Sequence, residues 1–146
     1  MLPEGGNPGF VPYTFPDGWT IFLTSGNGAA HFDNTAFLVN VQLPGYYGPE
    51  HDMDRATAQR LKDLAAEMER CHLRRTPIII HCNHGRTRSP IAVGVYLMVM
   101  HGVSAAHALA ALRAAFDGSP NRHYGRLGDR VEAALIAFAI FLPHLH

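Results

Sequence analysis

The order of elements along the 146-residue chain predicts an α/β fold. It has a central, mostly parallel sheet of about four to five strands, with helices on both faces. Three observations carry this reading. Two strand-like runs, Trp19 to Thr24 and Ala36 to Val41, precede a helix whose apolar residues recur at i, i+3, i+4 and i+7 (Leu61, Leu64, Ala65, Met68). A third strand, Pro77 to His81, follows that helix directly. Ser89 to His101 is then apolar almost all round, as a central buried helix should be.

Each element has its own local signals. Residues 1 to 18 are rich in Gly and Pro and are expected to be irregular. Ser25-Gly26-Asn27-Gly28 reads as a turn. Ala36 to Val41 is mostly apolar, so that strand is expected inside the sheet. Leu43 to Asp54 is a polar loop bearing Pro and Gly, and Asp54 is placed to cap the helix from Arg55 to Cys71. Cys71 continues the apolar stripe of that helix and is read as core. Gly102 stops the central helix, and Ser104 caps the next, with Ala105, Ala108, Leu109, Leu112 and Phe116 on one face. A last helix starts between Tyr124 and Asp129 and runs to Leu142, where Pro143 ends it.

The bulk numbers bound what the chain can be. Its length suits one domain, 1–146, with a sizeable core. Apolar residues make up 47% and charged residues 16%, ordinary values for a globular protein. Net charge is zero, so nothing general draws the chain to nucleic acid or anionic lipid. Ten histidines make that charge sensitive to pH near neutrality. Two cysteines are too few for a disulfide framework. Met1 to Gly6 lacks the basic flank and apolar core of a signal peptide. The apolar runs Ile91–Met100 and Ala133–Leu142 fall far short of the roughly 20 residues of a membrane span. No repeat or low-complexity tract is visible.

The chemistry concentrates in His81-Cys82-Asn83-His84-Gly85-Arg86-Thr87-Arg88-Ser89-Pro90. Five residues between Cys82 and Arg88 suffice for a tight loop joining a strand to a helix. Such a loop, Asn83 to Thr87, aims backbone N–H groups at one point, and the helix N-terminus adds partial positive charge there. The guanidinium of Arg88 can grip two phosphate oxygens in a planar fork that lysine cannot copy. The same field lowers the pKa of a thiol by several units, making Cys82 a thiolate and a nucleophile. Ser89 is placed to donate its hydroxyl to the sulfur when a phosphocysteine breaks down. The implied reaction is two-step phosphoryl transfer completed by water. It needs no cofactor or metal, since loop amides and Arg88 supply the positive charge. A thiolate nucleophile also requires a reducing compartment, which points to the cytoplasm.

His81-Cys82, five residues, Arg88-Ser89 resembles the signature of the protein tyrosine phosphatase superfamily. Its flanks, Ser89-Pro90-Ile91-Ala92-Val93 and Tyr96-Leu97-Met98, with Ser119-Pro120-Asn121 and Leu127 further on, are most similar to the dual-specificity phosphatase branch. The resemblance runs from about Asp52 to Phe138. It implies a dual-specificity-phosphatase-like fold, phosphotyrosine or phosphoserine/phosphothreonine protein substrates, and supporting roles for His81 and Asn121. It also implies a general acid, an Asp about thirty residues before the cysteine that protonates the departing alkoxide. Glu50, Asp52 and Asp54 all lie in that loop. Asp52 has the matching spacing, and Asp54 also suits a helix cap.

Substrate class stays open at this level. Cys82-Asn83-His84-Gly85 resembles the phosphatases that remove 5′ phosphates from RNA, although those follow the arginine with Thr and Gly rather than Ser89 and Pro90. Arg86 adds a second cation. Arg74, Arg75, Arg122, His123 and Arg126 would add a basic rim for a polyanion, such as RNA or a phosphoinositide, if the fold gathered them. Three other readings are a phosphate-binding module without turnover, a zinc site using Cys82, His84, His51 and Cys71 or His72, and Cys71 as a resolving thiol for Cys82.

Overall fold

The structure is a computed structural model that describes residues 10–25, 37–40, 53–82, 88–118, 127–128 and 130–146. Four strands are described: β1 (Phe10–Thr14), β2 (Thr20–Ser25), β3 (Phe37–Asn40) and β4 (Ile78–Cys82). Four helices accompany them: α1 (Arg55–Leu73), α2 (Arg88–His101), α3 (Ala105–Asp117) and α4 (Val131–Phe141). The sheet order is β1-β2-β4-β3. β4 runs parallel to both of its neighbours, β2 and β3, and β1 runs antiparallel to β2.

The sheet is therefore mixed, where the element order predicts a mostly parallel one. The reason lies in β1, a strand where irregular chain is expected over residues 1 to 18. Pro12 and Gly18 suggest loop, yet Pro12 sits on an edge strand, where a missing N–H is tolerated. Val11 lies opposite Leu23 and is fully buried, so burial outweighs composition. A compact turn closes the hairpin. Phe15 N–H donates to the Trp19 carbonyl at 2.8 Å and Gly18 N–H to the Phe15 carbonyl at 2.9 Å. Gly18 takes φ +90°, a region open to glycine at little cost. The backbone N–H of Trp19 donates to Asp17 Oδ1 at 3.1 Å.

One core unites the elements. Val11, Ile21, Leu23, Ile78 and Ile80 share a sheet face, and all four helices add buried side chains to it. Phe22 and Ile79 point to the other face and are buried as well, so β2 and β4 are shielded on both sides. The helices expected on both faces are described on one. At the centre lies α2, buried without a break from Ser89 to Met98. A Cβ on Gly94 would stand 2.7 Å from Leu135 Cδ2, so glycine is what lets α4 approach α2 closely. Asp54 caps α1 by accepting from Thr57 N–H at 2.7 Å, and Ser104 caps α3 by accepting from His107 N–H at 3.1 Å. Pro143 lies in the short 3-10 turn Leu142–His144 that follows α4. The expected turn at Gly26–Gly28, the loop from Leu43 to His51 and the start of the last helix at Tyr124 lie outside the described residues.

Candidate active site

Cys82 is the last residue of β4 and Arg88 the first of α2. The strand therefore delivers the cysteine, and the helix N-terminus presents the arginine and its own partial charge. Between them, Asn83, His84, Gly85, Arg86 and Thr87 lie outside the described residues. On the neighbouring strand, Ser25 stands beside Cys82 in register.

Ser89 sits one residue into α2 and is fully buried. Its Oγ has no hydrogen-bond partner among the described residues. A buried hydroxyl without a partner is destabilising by about 1–3 kcal/mol, so such a group calls for an explanation. His81 pairs in register with Thr24 of β2 and Asn40 of β3. Burial pushes the His81 imidazole below the ordinary histidine pKa, because the charged ring loses water. His81 is accordingly neutral at pH 7, with one N–H and one lone pair.

The candidate acids separate. Asp54 is held as a helix cap, and the hydrogen bonds from Thr57 push its carboxyl below the ordinary aspartate range. A general acid must carry a proton at working pH, so this environment works against Asp54 in that role. Asp52 and Glu50 lie outside the described residues, as do His51 and Asn121. Met53, directly after Asp52, is buried in the core.

Several residues that the sequence offered for one site are held apart. Arg74 and Arg75 follow the C-terminal end of α1, before β4 begins, whereas Cys82 ends β4. Five residues of strand separate those ends by about 13 Å. Arg75 instead donates to Asp17 Oδ2 at 2.9 Å, so the basic rim loses these two members. Arg122, His123 and Arg126 lie outside the described residues. Cys71 is a buried free cysteine at the same far end, its carbonyl accepting from Thr76 N–H at 2.9 Å. A disulfide needs Cα atoms within about 7 Å, so Cys71 does not resolve Cys82 without rearrangement. Burial pushes the Cys71 thiol up, as for an inert core cysteine. No group of three His, Cys, Asp or Glu among the described residues could hold a metal.

Sequence reasoning missed a second polar centre, at the far end of the β4–α2 unit. It joins Asp17, Glu69, His72, Arg75 and Tyr96 around the indole of Trp19. The available signal was Glu69 and His72, three apart on α1 and flanking the buried positions Met68 and Cys71.

The family described as "Dual specificity phosphatase, catalytic domain" matches residues 27–127. The chain belongs to that family, within the protein tyrosine phosphatase superfamily. Its fold is similar to that of human DUSP28, at TM-score 0.62 and 22% identity over 97% of each chain. A mouse putative dual specificity phosphatase, solved with zinc tungstate, gives TM-score 0.62 and 22% identity over 99% of this chain and 97% of that one. A leucine rich repeat and phosphatase domain containing protein from Entamoeba histolytica gives TM-score 0.62 at 14% identity, over 85% and 88%. No curated protein matches the chain. Among the described residues no helix is long and apolar enough to cross a membrane.

Proposed function

We propose that this protein is a cysteine-dependent phosphatase that hydrolyses phosphate monoesters, with phosphotyrosine and phosphoserine/phosphothreonine proteins as its substrates. The observation that carries the reading is the placement of Cys82 at a strand end and Arg88 at a helix start, with five residues between them, and the Ser89 hydroxyl buried beside them without a partner among the described residues. Family membership supports it.

In the first step the Cys82 thiolate attacks phosphorus, and the bond from phosphorus to the ester oxygen breaks. Asp52 gives the leaving oxygen its proton. Arg88 and the amides of residues 83–87 hold the equatorial oxygens, where charge develops. In the second step water attacks the phosphocysteine, Asp52 takes a proton back, and inorganic phosphate leaves. The Ser89 hydroxyl donates to the departing sulfur, which explains an otherwise costly buried hydroxyl. Neutral His81 stands next to Cys82 without adding a full charge, and Asn121 braces the loop. The thiolate works in a reducing compartment, consistent with the cytoplasm. Cys82-Asn83-His84-Gly85 favours a second reading, an RNA 5′ phosphate as the ester.

Hydrolysis of p-nitrophenyl phosphate with EDTA present tests the chemistry. Wild type is expected to turn over and Cys82→Ser to fall to background with its fold retained. A phosphopeptide panel beside an RNA bearing a 5′ monophosphate then separates the two substrate readings. No turnover by folded, reduced wild type on any of these esters would make the chain a binding module instead.

A further inference from the structure

β3, α1 and β4 form a crossover unit, since β3 and β4 run parallel and α1 lies between them in the chain. α1 therefore runs against the strands, and its first turn lies toward the end of the sheet where Cys82 ends β4. Residues 142–146 reach that same turn. Arg55, the first residue of α1, donates from Nη2 to the His144 carbonyl at 2.6 Å. Gln59, one turn later on the same helix face, accepts from the His146 N–H at 2.9 Å. The Gln59 amide is oriented by donating its Nε2–H to Asp63 Oδ1 at 3.0 Å. Leu142 and Leu145 pack half-buried against the core, and Leu145 N–H donates back to the Leu142 carbonyl at 3.2 Å.

Arg55 does not serve its own helix. A cation in the first turn meets the positive end of the helix dipole, where acidic residues are preferred and none is present. A residue that breaks a local rule calls for a gain elsewhere, and the His144 carbonyl supplies it. Two other anchors stand beside this tie. Met53 is buried in the core, and Asp54 accepts from Thr57 N–H at 2.7 Å. Residues 53, 54 and 55 are thus held in turn by packing, by a cap and by the segment after α4. Asp52 directly precedes them in the chain. On its other side that segment continues α4, which packs closely on α2 where Gly94 meets Leu135, and α2 begins at Arg88.

We infer that, given Asp52 as the acid of the proposed phosphatase, residues 142–146 are a brace for the acid and Arg55 is its positioning residue. The brace ties the start of α1, which leads directly from Asp52, to the α4–α2 pair, which carries Arg88. A proton donor must stand within hydrogen-bond reach of the leaving oxygen, and a misplacement of about 1 Å is enough to cost much of its effect. Arg55 touches no reacting atom. It acts through the backbone that follows Asp52.

The test is kcat/KM of the full chain on aryl phosphates from p-nitrophenyl to phenyl, whose leaving groups need a proton increasingly. This ratio covers the step that breaks the ester bond. Wild type is expected to vary little along the series. Arg55→Ala and Leu145→Ala are expected to lose about tenfold on phenyl phosphate, part of the roughly 10²–10⁴-fold that a positioned acid supplies, and less than about twofold on p-nitrophenyl phosphate. Asp52→Asn is expected to show the full slope, and Arg55→Ala added to it to cost nothing more. Arg70→Ala, on the last turns of α1 where Arg70 pairs with Glu67 at 3.7 Å, is expected to follow wild type. Thermal melts check that each variant is folded. Equal losses on both esters, or losses that add to those of Asp52→Asn, would overturn the brace. So would a wild-type slope in both Arg55→Ala and Leu145→Ala. Wild type inactive on both esters, or a wild-type slope in Asp52→Asn, would instead sink the proposed chemistry on which the brace rests.

Discussion

The two ends of the β4–α2 unit are built on opposite terms. At the upper end, β4 ends at Cys82 and α2 begins at Arg88, and the buried Ser89 hydroxyl has no partner among the described residues. At the lower end, Trp19 Nε1 donates to the Thr76 carbonyl at 2.7 Å, Tyr96 is fully buried with its hydroxyl bonded, and Asp17 accepts from three groups. The lower end is therefore tied by paired polar groups, whereas at the upper end a buried hydroxyl is left without a partner among the described residues. Stability given up at a site is commonly supplied elsewhere in the same fold.

Changes at the two ends should then separate activity from stability. The largest effect is expected from Arg88→Lys, which keeps a charge but loses the planar fork. Turnover should fall by about 10²–10³-fold with the melting curve unchanged; near-normal turnover would break the phosphate-cup reading. Next comes the acid. Asp52→Asn should slow turnover by about 10²–10⁴-fold and flatten one limb of the pH–rate profile. Asp54→Ala should instead cost about 1 kcal/mol of stability through the lost cap, with turnover nearly intact. The reverse pattern, seen in kcat and thermal melts, would exchange their roles.

Smaller effects are expected at the base. Trp19→Phe removes the bond to the Thr76 carbonyl, and denaturant melts should show a loss of about 1 kcal/mol with kcat unchanged. The smallest effect is in acid. The hydrogen bond from His72, followed by that from the Trp19 backbone, holds the Asp17 carboxyl at about 2 against an ordinary 3.8. A carboxylate with a depressed pKa stabilises the fold above its ordinary pKa and loses that contribution as pH falls through the folded value. Thermal melts of Asp17→Asn should therefore show a shallower decline than wild type between about pH 4 and 2. A drop in turnover for either base variant at neutral pH would mean that the two ends are coupled along α2.

Much of this architecture was legible in the residues because local signals and burial agree there. The stripe on α1 places Leu61, Ala65, Met68 and Cys71 in the core, and Asp54 and Ser104 cap the helices they precede. The spacing from Cys82 to Arg88 spans a strand end and a helix start. Hydrophobic period and capping are properties of neighbouring residues, so a linear reading reaches them. β1 was not legible, because Pro12 and Gly18 carry a loop composition that only pairing with β2 and burial of Val11 overrule.

By itself, then, the sequence determined the helix faces, the caps and the Cys82–Arg88 spacing, all of which act over fewer than about ten residues. Tertiary structure decided what depends on distant partners. It separated Cys71, Arg74 and Arg75 from Cys82 by the length of a strand. It also brought Asp17 to His72 across 55 residues and Tyr96 to Glu69 across 27. The physical reason is that hydrogen bonds and ion pairs read separation in space, and only the packed core converts chain distance into that separation.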